Sequence, residues 1–389
     1  MIHLFNHHLD LGDDISTSVR TLPAHGGVYL IADPDDKPVL LASGENLRRV
    51  VGHRLAAPPP NQKTRRAHLA EVAASVHWRE TFSRFETALT HYQLARILDP
   101  RAYRKTIAFP PAWFLRVDVQ ARVPRFSPLR VFPADGARYI GPFATGKDAD
   151  EWVHMLVDLF DLCRDNHVLE QSPHGQACAY FDMGRCPAPC DGTVSLEAYR
   201  RTIAEAVAFS VGDREPRPAV LRDSMDSAAK ALAFERAAAL RQTIERAAAA
   251  IKKREYAPVA DLSDCCWLIL QRGGPARRST KNSFVKPFFV RCGTIEVGGP
   301  VALPDIASVI PRWLAGCGPC SVLPPDSAEE QTTRCEVLWL VAKFLFQAER
   351  APGLFYRFDR LPDTAKLAAA VRAAFGPRQA GNTASPDTV

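Results

Sequence analysis

The chain has 389 residues, of which 47% are hydrophobic and 24% are charged. These proportions are typical of a globular protein and exclude collagen-like and fully disordered chains. The net charge of +6 permits a nucleic-acid partner but does not require one. No run approaches the ~18 apolar residues of a membrane span, and the first residues lack the features of a signal peptide. We therefore expect a cytoplasmic protein that makes no membrane contact.

The first part of the chain predicts a small α/β unit. Gly27–Ile31 and Val39–Leu41 predict two strands of a β-hairpin, joined by a turn of Asp and Pro residues. Asn46 is a good N-cap for the helix that should follow the hairpin. Helical patterns cover Leu47–Arg54, His68–Ser75 and Glu86–Leu98.

The remaining segments alternate between helical and extended patterns. Helices are predicted over Glu151–Cys163, Ser195–Phe209, Val220–Ile251, Ile306–Leu314 and Glu330–Phe346, and strands over Cys266–Gln271 and Pro287–Arg291. The fold class expected is α+β and multidomain. The expected domains are a small α/β domain (21–105), a linker and cysteine domain (106–215), a helical hairpin (216–253), a mixed α/β C-terminal region (254–376) and a disordered tail (377–389).

Four cysteines between positions 163 and 190 lie mostly in a polar loop. Cys163, Cys178, Cys186 and Cys190 follow the pattern C-x14-C-x7-C-x3-C. Four thiolates suit zinc or an iron–sulfur cluster, although the x7 gap departs from the C-x2–4-C pairs that are usual in zinc sites. The alternative is a group of buried free cysteines without a metal.

The predicted hairpin carries one apolar stripe on each helix. Met225, Ala229 and Leu232 are spaced i, i+4, i+7, and Leu240 and Ile244 are spaced i, i+4. Two isolated helices bury little surface, so a partner hairpin that completes a four-helix contact is expected. The predicted contact residues are Met225, Leu232, Phe234, Leu240 and Ile244. The alternative is an ordinary helix pair within one domain.

The sequence resembles the UvrC family of bacterial excinucleases. The segment RCPAPCDGTVSLEAYRRTI (185–203) resembles the middle region of UvrC proteins. Arg138–Phe143 resembles the segment that precedes their cysteine loop. Gly27–Tyr29 and residues 39–50 resemble its GIY-YIG nuclease domain, and Met225–Glu245 resembles its UVR hairpin. The stretch after the hairpin is too short for the second nuclease of full-length relatives, so the short homologue Cho is closer in layout.

This resemblance implies a DNA-repair protein of nucleotide excision repair. It implies that the four cysteines hold a [4Fe–4S] cluster, with Zn²⁺ as the alternative. It also implies that DNA and a UvrB-type protein are the partners, the latter bound through the UVR hairpin.

The GIY-YIG resemblance implies metal-assisted phosphodiester hydrolysis with Mg²⁺ or Mn²⁺, but several catalytic positions are changed. Tyr29 matches the first motif, whereas the catalytic arginine falls on Val50 and the metal-binding glutamate falls on His91. Arg49 is one position away, which is a rotation of about 100° on a helix. We therefore expect an inactive nuclease fold, with Tyr29, Arg49 and His91 as relic candidates.

Two alternatives remain for the function. A Cho-like endonuclease could use His91 and Arg49, with Glu86 as a further carboxylate. A redox-sensing DNA-binding protein could change its affinity when the cluster is oxidised. In each case a basic strip is a candidate for phosphate contacts, although a solvated face is the simpler interpretation. The strip comprises Arg48, Arg49, Arg54, Lys63, Arg65 and Arg66.

Overall fold

The structure is a computed structural model that describes most of residues 2–376. The residues not described are 1, 13, 57–68, 108–111, 132–134, 254–255, 257, 263–264, 276–282, 318–326, 347–352 and 377–389. Lys63, Arg65, Arg66 and the predicted disordered tail therefore lie outside the described residues. Three antiparallel sheets and fourteen helices make up the described part, which confirms a mixed α+β architecture. None of the helices described is both long and apolar enough to cross a membrane.

The N-terminal layer, residues 7–106, is an antiparallel sheet of order β1-β4-β2-β3 with helices on both faces. Its elements are β1 (His7–Asp10), α1 (Ile15–Arg20), β2 (Gly27–Ala32), β3 (Pro38–Gly44), α2 (Leu47–Leu55), α3 (Leu69–Val72), β4 (Ser75–Glu80), α4 (Arg84–Leu98) and α5 (Tyr103–Thr106). The predicted hairpin and the helices after Asn46 and before Asp99 are confirmed. The Asn46 side chain accepts a hydrogen bond from the Arg49 amide, as an N-cap should.

The helix predicted over His68–Ser75 is wrong in its second half. Only Leu69–Val72 is helical, and Ser75 begins strand β4, which pairs with β1 on one side and β2 on the other. The residues of β4 do not show a strong strand pattern by themselves. Their conformation is fixed by two ladders to segments that lie far away in sequence, and such pairing overrides local preference.

The middle layer, residues 113–261, combines a sheet of order β6-β5-β7-β8 with a helical bundle. Its elements are β5 (Trp113–Val117), β6 (Ser127–Leu129), β7 (Arg138–Phe143), α6 (Gly146–Phe160), α7 (Asn166–Glu170), α8 (Ala179–Asp182), α9 (Leu196–Val211), α10 (Pro216–Lys230), α11 (Phe234–Lys252) and β8 (Ala260–Asp261). Helix α6 starts at a Thr145–Asp148 capping box and stops at Asp161, whose φ of 51° is left-handed. Cys163 thus follows the helix, whereas the sequence placed it inside.

The C-terminal layer, residues 266–375, is a sheet of order β11-β10-β9-β13 with β12 beside β10. Its elements are β9 (Cys266–Arg272), β10 (Phe284–Arg291), β11 (Thr294–Val297), β12 (Val301–Ala302), α12 (Ile306–Gly316), α13 (Ala328–Phe346), β13 (Leu354–Arg357) and α14 (Thr364–Phe375). The two predicted strands and two predicted helices are confirmed. Strand β13 and helix α14 were not predicted.

One apolar core joins the N-terminal and C-terminal layers. Phe85 of α4 packs edge-on against Phe288 of β10 and Phe344 of α13, with both ring-centre distances at 5.2 Å. Glu86, buried in the same helix, forms an ion pair of 2.7 Å with Lys286. The outer face of α4 is therefore fixed against the C-terminal layer and is not a free surface.

Candidate functional site

Three of the four loop cysteines are buried at the end of α6 and below α9. Cys163, Cys186 and Cys190 are buried, and Cys163 and Cys186 belong to the core of the middle layer. The loop between them is held by backbone contacts: the Gly175 amide donates to the Cys190 carbonyl over 2.9 Å, and the Ser172 hydroxyl donates to the Pro189 carbonyl. These bonds fix the loop independently of its cysteine side chains.

Cys163 and Cys186 are neighbouring thiols, and the Cys163 thiol donates a hydrogen bond to the Asp165 carbonyl over 3.3 Å. The polar side chain of Cys163 lowers the pKa of the neighbouring Cys186 to about 6 although burial opposes the shift. The positive charge of Arg164 also favours the Cys186 thiolate. The neighbouring Cys186 side chain, together with burial, raises the pKa of Cys163. A thiolate is the ligand form of cysteine, so this pair has the electrostatics that a soft metal needs.

The four cysteines are not gathered around one point. Cys178 is half-buried as the N-cap residue of α8, and the Cys190 thiol lies 3.5 Å from the Gln176 carbonyl. Over the described ranges, no three His, Cys, Asp or Glu side chains are arranged to hold one ion. Cysteine thiolates are suitable ligands for zinc or an iron–sulfur cluster, and Cys163 and Cys186 lie next to each other. The four side chains do not, however, form a closed four-ligand site.

Arg164 organises the outer side of this cysteine loop. Its guanidinium donates to the Arg185 carbonyl over 2.6 Å, forms an ion pair of 2.6 Å with Asp158 and lies 5.1 Å from the ring centre of Tyr180. Tyr180, Phe181 and Met183 are exposed around it. One arginine therefore links α6, α8 and the backbone that precedes Cys186, a role the sequence did not reveal.

Tyr29 lies in the core beneath α2, and the arginine near it is not the one expected. Only 1% of Tyr29 is exposed, and burial raises the pKa of its hydroxyl although the nearby positive charge of Arg54 opposes the shift. Val50, at the position expected for the catalytic arginine, packs tightly over Gly44 of β3. Arg54 is one helical turn after Val50, so it presents its side chain on the same face of α2.

His91 lies on the opposite face of the sheet from Tyr29. Helix α4 covers the face formed by Val28, Leu30 and Leu41, whereas Tyr29 belongs to the cluster under α2. The Nε2 atom of His91 is buried without a hydrogen-bond partner, and burial lowers the pKa of the ring. The structure therefore does not bring Tyr29 and His91 together.

The remaining arginine candidates that the structure describes on the N-terminal layer are surface residues, whereas Glu86 is buried. Arg48, Arg49 and Arg54 are exposed on α2, and Arg48 donates to the Leu22 carbonyl over 2.8 Å. Glu86, the carboxylate of the endonuclease alternative, is occupied by Lys286 and by the Phe82 amide at 3.1 Å. It is thus a buried structural carboxylate.

The hairpin of α10 and α11 is anchored at its base and open at its tip. Leu221 and Ala247 are buried in the middle core, and Leu240 and Ile244 pack against that core as half-buried residues. Met225 is also half-buried. At the tip, Leu232 and Phe234 are 72% and 65% exposed. Of the five predicted contact residues, these two present apolar surface that nothing in the described part covers.

Sequence reasoning missed a buried carboxylate at the centre of the molecule. Glu336 of α13 is 3% exposed and accepts hydrogen bonds of 2.8 Å from the hydroxyls of Tyr92 and Tyr103 and from Arg104 Nε. Its donors lie more than 230 positions away in sequence, so no local pattern could reveal them. Glu336 joins α4 and α5 to the C-terminal layer.

Comparisons with known proteins found similarity that includes the middle layer. The family model described as the middle domain of UvrC/Cho excinuclease matches residues 112–209, which contain all four loop cysteines. "UvrABC system protein C" of Desulforudis audaxviator is 37% identical over 52% of this chain and 37% of the relative. The proteins of the same name from Trichlorobacter lovleyi and Moorella thermoacetica are 29% and 27% identical, over 60% and 68% of this chain.

The matched relatives are longer proteins. The aligned stretches cover 38% of the Trichlorobacter protein and 42% of the Moorella protein, so the chain spans about two fifths of their length. No solved structure matches the chain significantly.

Proposed function

We propose that this chain, a member of the UvrC/Cho family, is a DNA-binding protein of nucleotide excision repair that engages a UvrB-type partner and does not itself cut DNA. The observation that carries the proposal is the family match over the whole cysteine segment, followed directly by a helical hairpin whose apolar tip is exposed. Both features fit an adaptor that binds partners.

The arrangement of the N-terminal layer supports the proposal that the protein does not cleave DNA. Hydrolysis needs a carboxylate-bound metal beside the phosphate and a cation that stabilises the developing charge. The expected carboxylate position is His91, which faces the other side of the sheet from Tyr29. Imidazole is a poor ligand for magnesium. Glu86 cannot replace it because Lys286 already neutralises that buried carboxylate.

Arg54 and its neighbours on α2 support DNA contact. Arg54 is exposed and its positive charge lies near the buried Tyr29 hydroxyl. Because the guanidinium has several N–H donors, it can bind a phosphate oxygen. Arg49 is also exposed on α2, although a spacing of five residues turns it about 140° away from Arg54. Such contacts give affinity without base specificity.

The hairpin supports a protein partner with a matching helical pair. Leu232 and Phe234 project from the turn between α10 and α11, while the base of both helices is packed on α6. A rigidly anchored apolar tip is suited to completing a four-helix contact. A UvrB-type hairpin is the partner we propose.

The cysteine segment supports a structural metal centre. We propose that Cys163, Cys178, Cys186 and Cys190 hold a [4Fe–4S] cluster, with zinc as the alternative. Either group would link the end of α6 to the loop before α9. Two observations support this proposal. Four thiols lie within one short segment, and the surroundings of Cys186 favour its thiolate form.

DNA binding at different salt concentrations tests the proposal. Wild-type protein is expected to bind a fluorescent duplex with an affinity that falls steeply with salt. The Arg54→Ala variant should show a salt slope smaller by about 1, because one phosphate contact is lost. Arg201→Ala, an exposed helical arginine already paired with Glu197, is the matched control. Absence of duplex binding by the wild-type chain would refute the DNA-binding function.

A second candidate is a Cho-like endonuclease. The Tyr29–Arg54 pair favours it, since a tyrosine and an arginine persist together although the expected arginine position is valine. It predicts metal-dependent nicking that Arg54→Ala reduces strongly. Nicking that is unaffected by Arg54→Ala and by Tyr29→Phe would exclude this version of the site.

A further inference from the structure

We propose that a cavity between the N-terminal and C-terminal layers binds an organic phosphate of mononucleotide size, with Arg79 as the residue that holds the phosphate group. The cavity has a volume of about 600 Å³ and is lined by residues of β4, α4, the turn between β10 and β11, and the first half of α13. This volume lies within the range of small-molecule sites, about 300–1,000 Å³. The proposal does not depend on the repair function proposed above.

The register of the N-terminal sheet places Arg79 on the side that faces α4. Arg79 of β4 is paired with Val28 of β2, and directly opposed residues of neighbouring strands point to the same face of a sheet. Val28 packs in one cluster with Leu94 of α4. The Arg79 side chain therefore lies beneath α4, where it and Leu94 both line the cavity.

Arg79 is a cation without an acceptor. Its Nε atom is buried and has no hydrogen-bond partner within the described part of the chain. A buried donor that makes no hydrogen bond costs more free energy than a paired one, so a ligand oxygen at this point gains more than it would elsewhere. The planar guanidinium has five donors in a fork that matches two oxygens of one phosphate group.

The other charged side chains that line the cavity are already paired. Arg96 lies 3.4 Å from Glu329, and it also donates to a tyrosine hydroxyl. Arg334 forms an ion pair of 2.5 Å with Glu330. Three arginines against two glutamates leave one positive charge in the lining. Among the described residues that charge belongs to Arg79, so the cavity favours an anion.

The uncharged part of the lining suits an organic body on the anion. Leu89 and Val337 are buried apolar residues of the wall, and Gln93 and Thr333 add an amide and a hydroxyl. A bare phosphate ion would fill only a small part of the cavity, whereas a sugar and base would use both kinds of group. At the mouth, Glu329 is 83% exposed and would repel a DNA strand laid across it, so a free small molecule is favoured.

The wall opposite α4 is held in place by a close contact of two backbones. Gly293, in the turn between β10 and β11, has a φ of 88°, which is left-handed. A Cβ atom at Gly293 would lie 2.4 Å from the Arg334 carbonyl oxygen. The turn therefore rests directly on the backbone of α13, and the cavity is preformed, as small-molecule sites usually are.

Calorimetric titration of the full-length protein with AMP tests the site. Wild type should bind one AMP, and adenosine should bind at least about tenfold more weakly because it lacks the phosphate. Arg79→Met should bind AMP about 10–100-fold more weakly, since a charge-assisted hydrogen bond is lost while the apolar stem is kept. Arg84→Met is the matched control, because Arg84 is an exposed residue of the same layer that pairs with Glu45 outside the cavity.

Two further measurements separate ligand binding from a structural role of Arg79. AMP should raise the melting temperature of wild type and of Arg84→Met, but not that of Arg79→Met. Thr333→Phe, which fills the cavity from α13 and keeps Arg79, should also lose AMP binding.

Three results would overturn the proposal. The first is absence of AMP binding by wild type, and the second is an AMP affinity that is equal in wild type and in either cavity variant. The third is a loss of duplex affinity in Arg79→Met without any AMP binding by wild type, which would assign Arg79 to DNA. Duplex binding that is the same in wild type and Arg79→Met is the expected result, so failure of this site and failure of the DNA-binding function are distinguishable.

Discussion

Replacing Phe234 by alanine should weaken binding of a UvrB-type hairpin by about 100-fold while leaving the fold intact. Phe234 is 65% exposed at the tip between α10 and α11. An aromatic side chain buries roughly 150–250 Å² when fully covered, so about 130 Å² is left for a partner to cover. At ~25 cal/mol per Å² this area is worth about 3 kcal/mol, or roughly a hundredfold in Kd.

A second variant separates binding from folding at the same tip. Leu232 is 72% exposed and has a φ of 59°, a left-handed conformation that costs a non-glycine residue about 1 kcal/mol. Leu232→Gly removes the apolar side chain and relieves this strain. It should therefore bind the partner more weakly although its free energy of unfolding is unchanged or higher.

The assay is calorimetric titration with a purified UvrB-type hairpin domain, paired with urea unfolding of each variant. Ile97→Ala is the matched control, because Ile97 is 59% exposed on α4, far from the hairpin in sequence. Partner binding that is equal for wild type, Phe234→Ala and Leu232→Gly would refute the assignment of this tip as the contact surface.

Three further predictions concern the buried groups. Glu336→Gln should lower the free energy of unfolding by about 2–3 kcal/mol, since two tyrosine hydroxyls and Arg104 lose a charged acceptor; urea unfolding measures this, and the exposed Glu329→Gln should change it by less than about 0.5 kcal/mol. Lys286→Met should cost about 3 kcal/mol in the same assay, because Glu86 stays buried without its ion-pair partner, and a variant as stable as wild type would contradict this. Cys186→Ser should lose the iron or zinc measured in anaerobically purified protein, and unchanged metal content would show that the loop thiols are not ligands.

Elements with strong local signals could be predicted from the sequence. Helix α2 has a capping asparagine, α4 stops before Asp99-Pro100, and the paired helices α10 and α11 show apolar spacing of three and four residues. These signals are contained within one or two turns. The structure therefore agrees with the sequence in these helices, with differences of a few residues at their ends.

Features that depend on distant partners could not be predicted. Strand β4 is defined by its ladders to β1 and β2, and Glu336 is defined by donors in α4 and α5. The contact of His8 with His77 joins residues 69 positions apart. These polar groups are buried because the layers pack on each other. The periodicity of the sequence contains no information about that packing.

The changed nuclease positions illustrate the same limit at the candidate site. The motif comparison predicted that Val50 takes the place of a catalytic arginine, and this stays a prediction. The comparison did not reveal that Arg54, one turn later, lies near the Tyr29 hydroxyl. Nor did it show that His91 and Tyr29 lie on opposite faces of one sheet.

Incision of a lesion-containing duplex is the most direct test of the account. The full-length protein, with its purified repair partners and with Mg²⁺ or Mn²⁺, should bind the duplex and leave both strands intact. Incision by wild-type protein that Arg54→Ala or Tyr29→Phe abolishes would contradict a non-cutting adaptor and establish the N-terminal layer as an active nuclease.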